Sequence, residues 1–326
     1  MKTMTAAAAL AAILSLATMP ALAQDHGTHH PGGHAPATAQ SAAVPDHSHQ
    51  HADFESGRFH VRIDGPEHPI GDVILIPGLS SSPEVWDGLT DELKDRYRIH
   101  RIHVQGFAGA PAKDNAQGRV AASVAADLAR YIRQQGLNKP AVIGHSMGGT
   151  IGLMLAARNP DLVGKLMVVD MMPFIGAMFG TPGTNPTAAS VAPIAEQIYA
   201  GMMSSPDPEY QAQAAATVTG MINTEALRAG PLEDAATSDR RVSASAYREL
   251  ILTDLRPELA RITAPTEVLY VVFNFPGMTP EMTDGIYRMS FATLTGVTLK
   301  RIDDSAHFIM LDQPARFTAE VNAFLE

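Results

Sequence analysis

Ten residues near the middle of the chain, Ala141 to Thr150 (AVIGHSMGGT), restrict its architecture more than any other stretch. Ala141, Val142 and Ile143 form a short apolar run bounded by Pro140 and Gly144, the pattern of a buried strand. Gly144-His145-Ser146-Met147-Gly148 follows and leads into a predicted helix from Gly149 to about Arg158. A strand that enters a helix through so tight a turn forces the central residue into a strained backbone conformation. The two glycines stand where side chains would collide with that turn. The strain lifts the Ser146 hydroxyl above the sheet, within reach of a base. Read alone, G-x-S-x-G is also a glycine-rich turn open to any α/β protein. The strand before it and the helix after it make it a nucleophile elbow.

The chain around this turn alternates short apolar strands with amphipathic helices. Strands are predicted at Arg58–Ile63, Asp72–Ile76, Arg98–Val104, Leu166–Val169, Glu267–Phe273 and Val297–Ile302. Helices are predicted at Pro83–Leu93, from Val120 to Gln135, at Pro280–Thr293 and after Pro314, with Val120, Val124, Leu128 and Ile132 marking one buried face. This is the βαβ rhythm of a mostly parallel, doubly wound α/β sheet. His100 and His103 fall on a strand and read as packed or surface histidines rather than ligands. The rhythm breaks from Met171 to about Arg241, a Met-, Pro- and Gly-punctuated stretch read as an inserted helical cap. Its methionines suit an adaptable apolar lining, and equally the packing of cap helices on one another.

The first residues are of a different kind. Met1-Lys2, a small apolar core from Thr5 to Ala17 and Ala21-Leu22-Ala23 read as a signal peptide over residues 1–23, cleaved after Ala23. The apolar stretch is too short for a membrane span. The chain has no cysteine, so periplasmic or secreted localisation needs no disulfides. Residues 24–53 carry His26, His29, His30, His34, His47, His49 and His51 among Gly, Pro, Ala and Ser, a disordered leader by composition. A metal-binding tail is one reading of it and a soluble spacer the other, since no spacing matches a closed tetrahedral site. A net charge of −10 without a basic run argues against nucleic acid. Residues 54–326 remain as the folded domain.

From about residue 57 to 326 the chain resembles the α/β-hydrolase fold superfamily, in its cap-containing serine hydrolase or esterase branch. The resemblance implies a triad and an oxyanion hole. Pro77-Gly78-Leu79-Ser80-Ser81-Ser82, after the second strand, corresponds to the superfamily's oxyanion loop, with Pro77 where a histidine is usual. The donors implied are the backbone N–H groups of Leu79 and Met147. Gly78 and the serines also suit an ordinary strand-to-helix loop, with Ser82 capping the helix that starts at Pro83. Ser305-Ala306-His307-Phe308 resembles the Gly-His-Phe loop before the final helix, which makes His307 the base. Most members carry the triad acid after the strand at Glu267–Phe273, but that stretch holds no aspartate. Haloalkane dehalogenases and zearalenone lactonases instead carry it after the strand that follows the elbow, and Asp170 stands there, 24 residues past Ser146. Asp284 is the reserve. Asp303 and Asp304 read as turn residues.

Ser146, Asp170 and His307 thus form the expected catalytic set, acting on a small-molecule carboxylic ester or lactone through an acyl-enzyme. A serine at the elbow argues against dehalogenase or epoxide hydrolase chemistry, which in this fold uses an aspartate. No metal or cofactor is expected in the site, and no feature of the chain sets an oligomeric state. The alternatives are a peptidase or amidase using the same residues, and a non-catalytic metal-binding protein relying on the histidine leader.

Overall fold

The computed structural model describes residues 54–181 and 184–326, so the predicted signal peptide and histidine leader lie outside the described residues. Among the described residues, the strands are β1 (Phe59–Asp64), β2 (Asp72–Ile76), β3 (Arg98–Val104), β4 (Ala141–His145), β5 (Lys165–Val169), β6 (Thr266–Tyr270) and β7 (Thr298–Arg301). They form one sheet in the order β1-β3-β2-β4-β5-β6-β7. Only β1 is antiparallel to its neighbour; all other pairs are parallel. The helices are α1 (Asp87–Leu93), α2 (Ala121–Gln134), α3 (Met147–Arg158), α4 (Ala188–Ser204), α5 (Asp207–Gly220), α6 (Ala229–Thr237), α7 (Arg240–Leu252), α8 (Pro280–Ser290), α9 (Ile309–Asp312) and α10 (Pro314–Leu325).

Strand periodicity divides the core in two. Ile74, Ile76, Val142 and Val168 face the layer of α2 and α3, where Val124, Leu128, Ile132, Ile151 and Leu155 cover them. Val73, Leu75, Ile143 and Met167 face the opposite layer, under Trp86, Leu89 and Leu93 on one side and Phe317 and Val321 of α10 on the other. Central strands covered on both faces read as continuous apolar runs, which is why β2 and β4 are plain in the sequence. The single tryptophan, Trp86, is fully buried and stacks on Phe317 with ring centroids 6.1 Å apart.

Helices α4–α7 lie between β5 and β6 as a helical insertion, with Phe174, Val191, Ala195 and Ile251 as its small core. The helical stretch runs on to Leu252, past the expected limit near Arg241. Its last turn anchors it to the sheet domain. The Glu249 carboxylate accepts the N–H groups of Val120, Ala121 and Ala122 at 2.6, 2.9 and 2.9 Å. It supplies a cap that α2 lacks from its own sequence.

Candidate active site

Five loops meet at the carboxyl ends of the parallel strands, where open α/β sheets hold their ligands. The one after β4 is the elbow. Ser146 has φ 52° and ψ −119°, a conformation that side-chain-bearing residues rarely adopt. Both flanking glycines are obligatory by contact. A Cβ at Gly144 would lie 2.2 Å from the Gly148 carbonyl oxygen, and one at Gly148 would lie 2.1 Å from the Ile76 carbonyl oxygen. The turn is pinned by the Ser146 N–H, which donates to Val169 O at 2.9 Å. The Ser146 hydroxyl does not cap α3. Met147, the first residue of α3, presents an N–H that no helical turn can engage.

Asp170 ends β5 in a second left-handed conformation, φ 49°. Its carboxylate is only 9% exposed. One oxygen, Oδ1, accepts the N–H of Val271 and the hydroxyl of Tyr287, each at 3.1 Å. The other, Oδ2, lies 2.6 Å from His307 Nδ1. A carboxylate is an acceptor, so the imidazole proton sits on Nδ1 and leaves Nε2 as the free basic nitrogen. Tyr287 is buried in a ring stack with Tyr270 at 4.0 Å and Phe273 at 5.6 Å. Burial, and secondarily the charge of Asp170, pushes its hydroxyl well above the ordinary tyrosine range, so it remains a donor. Asp284, the reserve acid, is engaged elsewhere: it accepts from the Tyr270 hydroxyl at 2.9 Å and from Arg301 at 2.6 Å.

The Val271 contact also ends β6 early. The sequence Val271-Val272-Phe273 favours a strand, but the Val271 N–H goes to Asp170 and the Phe273 N–H to Thr283 Oγ1 at 3.3 Å. The ladder therefore stops at Tyr270 rather than Phe273, as expected from propensity alone.

His307 is braced from beneath by His145, which is fully buried. His145 Nε2 donates to the His307 carbonyl oxygen at 3.0 Å, and the two rings lie 4.6 Å apart. Burial, and then the neighbouring His307, holds the His145 imidazole well below its ordinary pKa, so the ring is neutral. Its Nδ1 has no hydrogen-bond partner among the described residues. Because His145 immediately precedes Ser146, this contact brings the two loops together.

The loop after β2 closes over the elbow. A Cβ on Gly78 would lie 3.1 Å from His145 Nδ1 and 3.2 Å from Ser146 Cβ, so the backbone leading to Leu79 runs directly against the serine. Ser80, with φ 53°, pairs its hydroxyl with that of Ser243 at 2.8 Å. Ser82 occupies the N-cap position expected of it but does not cap the turn that Pro83 opens. Its N–H and hydroxyl instead both reach Asp234 Oδ2, at 2.8 and 2.7 Å. A half-buried carboxylate from the insertion outcompetes the local cap.

His100 and His103 are structural in placement: His100 bonds Tyr131 and Asp72, and His103 meets the Phe107 carbonyl. Asp303 pairs with Arg301, and Asp304 turns the chain at φ 58°. Among the described residues no cluster of His, Asp or Glu has the makings of a metal site. No described helix is long and apolar enough to cross a membrane. A cavity of about 780 Å³ lies away from this centre, between the segment that precedes α2 and the helices α3, α4 and α7, with Arg119, Met154, Arg158 and Tyr199 in its wall. Sequence reasoning missed Tyr287, which no local motif marks, and Asp312, which lies five residues past His307.

A mostly parallel sheet whose carboxyl edge carries a strained serine, a carboxylate-bound histidine and an overlying glycine loop defines a hydrolase of α/β architecture. The chain belongs to the alpha/beta hydrolase family, whose model matches residues 73–321. A pimeloyl-[acyl-carrier protein] methyl ester esterase of Pectobacterium carotovorum is 24% identical over 257 residues, 78% of this chain and 94% of that protein. The enol-lactonase of Burkholderia xenovorans superposes with a TM-score of 0.65 at 20% identity, covering 82% of this chain and 96% of that one. An esterase of Exiguobacterium antarcticum gives a TM-score of 0.66 at 17% identity, covering 82% and 95%.

Proposed function

We propose that the protein is a serine hydrolase that cleaves small carboxylic esters or lactones through an acyl-enzyme. The observation that carries the reading is the pairing of His307 Nδ1 with the buried Asp170 carboxylate, one loop away from a serine held at the strained elbow position. The methyl ester esterase and lactonase activities named for its relatives fit the same chemistry.

In the proposed reaction Ser146 Oγ attacks the ester carbonyl carbon while its proton passes to His307 Nε2. The Nδ1–H···Asp170 bond orients the ring and stabilises the imidazolium as it forms. The N–H groups of Leu79 and Met147 receive the oxyanion, where loss of a single donor costs about 10²–10³ in rate. Collapse breaks the bond to the leaving oxygen, which takes the proton back from His307 as the alcohol. Water, deprotonated by His307, then attacks the acyl-enzyme; the bond to Ser146 Oγ breaks, His307 returns the proton to Oγ, and the acid is released. In the free protein the Ser146 hydroxyl has no hydrogen-bond partner among the described residues. The Ser146–His307 bond is one that substrate completes, as catalytic bonds commonly are.

The test is turnover of p-nitrophenyl butyrate, with the matching p-nitroanilide as the amide control. Ser146→Ala should lower kcat by about 10⁶. A variant as active as the parent removes the proposal, and faster cleavage of the anilide favours the amidase reading. Export, with a mature chain beginning at Gln24 by mass spectrometry, is proposed from the N-terminal residue pattern alone.

A further inference from the structure

The loop that carries His307 is held by a carboxylate that also holds the insertion. Asp312, at the end of α9, accepts the Ala306 N–H through Oδ2 at 2.9 Å, one residue before His307. The same oxygen accepts the N–H of Asn223 at 3.1 Å, and Oδ1 accepts that of Thr224 at 2.8 Å. Asn223 and Thr224 belong to the connection between α5 and α6, 89 and 88 residues before Asp312 in the chain. Two further contacts follow the same seam. The Phe308 N–H donates to the Met221 carbonyl at 3.2 Å, and Ile222 is buried in one cluster with Phe308, Ile309 and Met310. The connection has its own brace, Arg228, whose Nε donates to the Ile222 carbonyl at 2.9 Å.

We propose that Asp312 is a positioning residue that couples the insertion to the catalytic base, so that His307 keeps its place only while the α5–α6 connection is docked. The coupling rests on the hydrolase reading for its consequence in catalysis. Its physical basis is independent of that reading. Three N–H donors converge on one carboxylate, and bonds to a charged acceptor are about twice as strong as neutral ones. Burial by itself would raise the Asp312 carboxyl; the bonds from Ala306, Asn223 and Thr224 outweigh it and hold the group below the ordinary carboxylate range. An insertion that lifts at this edge takes two of those donors away and leaves the His307 loop with one. A substrate that seats the insertion firmly thereby also firms the base.

The alternative is that Asp312 merely caps its own loop through Ala306, with the insertion resting on it incidentally. Thr224→Pro separates the two. Thr224 already has φ −76°, within the range of proline, so the substitution deletes its N–H at little backbone cost. It touches neither Ala306 nor His307. Coupling predicts that Thr224→Pro lowers kcat on p-nitrophenyl butyrate by about tenfold, the worth of one bond to a charged acceptor. It also predicts that the downfield proton resonance of the His307 Nδ1–H···Asp170 bond broadens or shifts. Asp312→Asn should do both more strongly, since its amide replaces an acceptor with a donor facing N–H groups. Full kcat and an unchanged resonance in Thr224→Pro would overturn the coupling. Should Thr224→Pro not fold cooperatively, Arg228→Gln, which loosens the α5–α6 connection without touching Asp312 or Ala306, decides by the same two readings. A protein that hydrolyses no ester, or whose Ser146→Ala variant matches the parent, ends the hydrolase reading instead; the resonance then still decides the coupling.

Discussion

Removing one oxygen atom, by Tyr287→Phe, isolates what a buried hydrogen bond to the acid contributes. The Tyr287 ring is held by Tyr270 at 4.0 Å, Phe273 at 5.6 Å and Phe291 at 6.4 Å, so the phenylalanine keeps its place and opens no cavity. What is lost is the 3.1 Å bond to Asp170 Oδ1. Bonds to charged groups contribute about 1.5–3 kcal/mol. Oδ1 retains the Val271 N–H and Oδ2 retains His307, so the lower figure, about 1.5 kcal/mol, applies to stability. For a domain of this size that is a fall in Tm of about 3–6 °C. The same figure sets a ceiling of about tenfold on kcat, and a loss of about threefold to tenfold is expected with KM unchanged, because Tyr287 is fully buried. Differential scanning calorimetry and steady-state turnover of p-nitrophenyl butyrate make the measurement. Parent-like kcat together with a lowered Tm would show that Asp170 does not act through His307 in the way described.

Three other substitutions test the carboxylates and the buried His145. Asp170→Asn should lower kcat by about 10⁴, the loss seen when the acid of such a triad becomes an amide. Asp284→Asn, whose partners are Tyr270 and Arg301, should leave kcat within about threefold while loosening α8 against β7; equal losses on p-nitrophenyl butyrate would contradict the assignment. His145→Gln should flatten the dependence of stability on pH. His145 is neutral when folded and its pKa lies well below 6.5, so below that pH the unfolded chain binds a proton the folded one refuses. Stability contributed by the neutral ring is present above pH 6.5 and falls below it, by up to about 1.4 kcal/mol per pH unit. Urea unfolding at pH 7.5 and 5.5 should show a smaller difference for the variant than for the parent.

What was legible in the sequence follows from how locally each feature is determined. β2 is read to the residue, and β4 from its first residue but two residues short of its end at His145, because strands covered on both faces need unbroken apolar runs. The elbow is legible because Gly144 and Gly148 are demanded by contacts inside a five-residue turn. His307 and Asp170 were approachable because each follows a recognisable strand. The features that escaped are those in which distant segments compete for a local group. β6 looks three residues longer because its Val271 N–H is claimed by a carboxylate from another strand. Ser82 carries the composition of a helix cap, yet Asp234 takes its hydroxyl from 152 residues away. Tyr287 and Asp312 belong to no motif, and their importance exists only once the sheet has brought α8 to Asp170 and the α5–α6 connection to the His307 loop.

The claim beneath the proposed chemistry is that Ser146 and His307 act on one proton. The direct measurement is a crystal structure of the protein after reaction with a phosphonate ester that mimics the tetrahedral intermediate. The expected result is a covalent bond to Ser146 Oγ, His307 Nε2 within hydrogen-bond distance of the leaving or attacking oxygen, and the phosphonyl oxygen against the Leu79 and Met147 N–H groups. An adduct on another residue, or one on Ser146 with His307 turned out of reach, would contradict it.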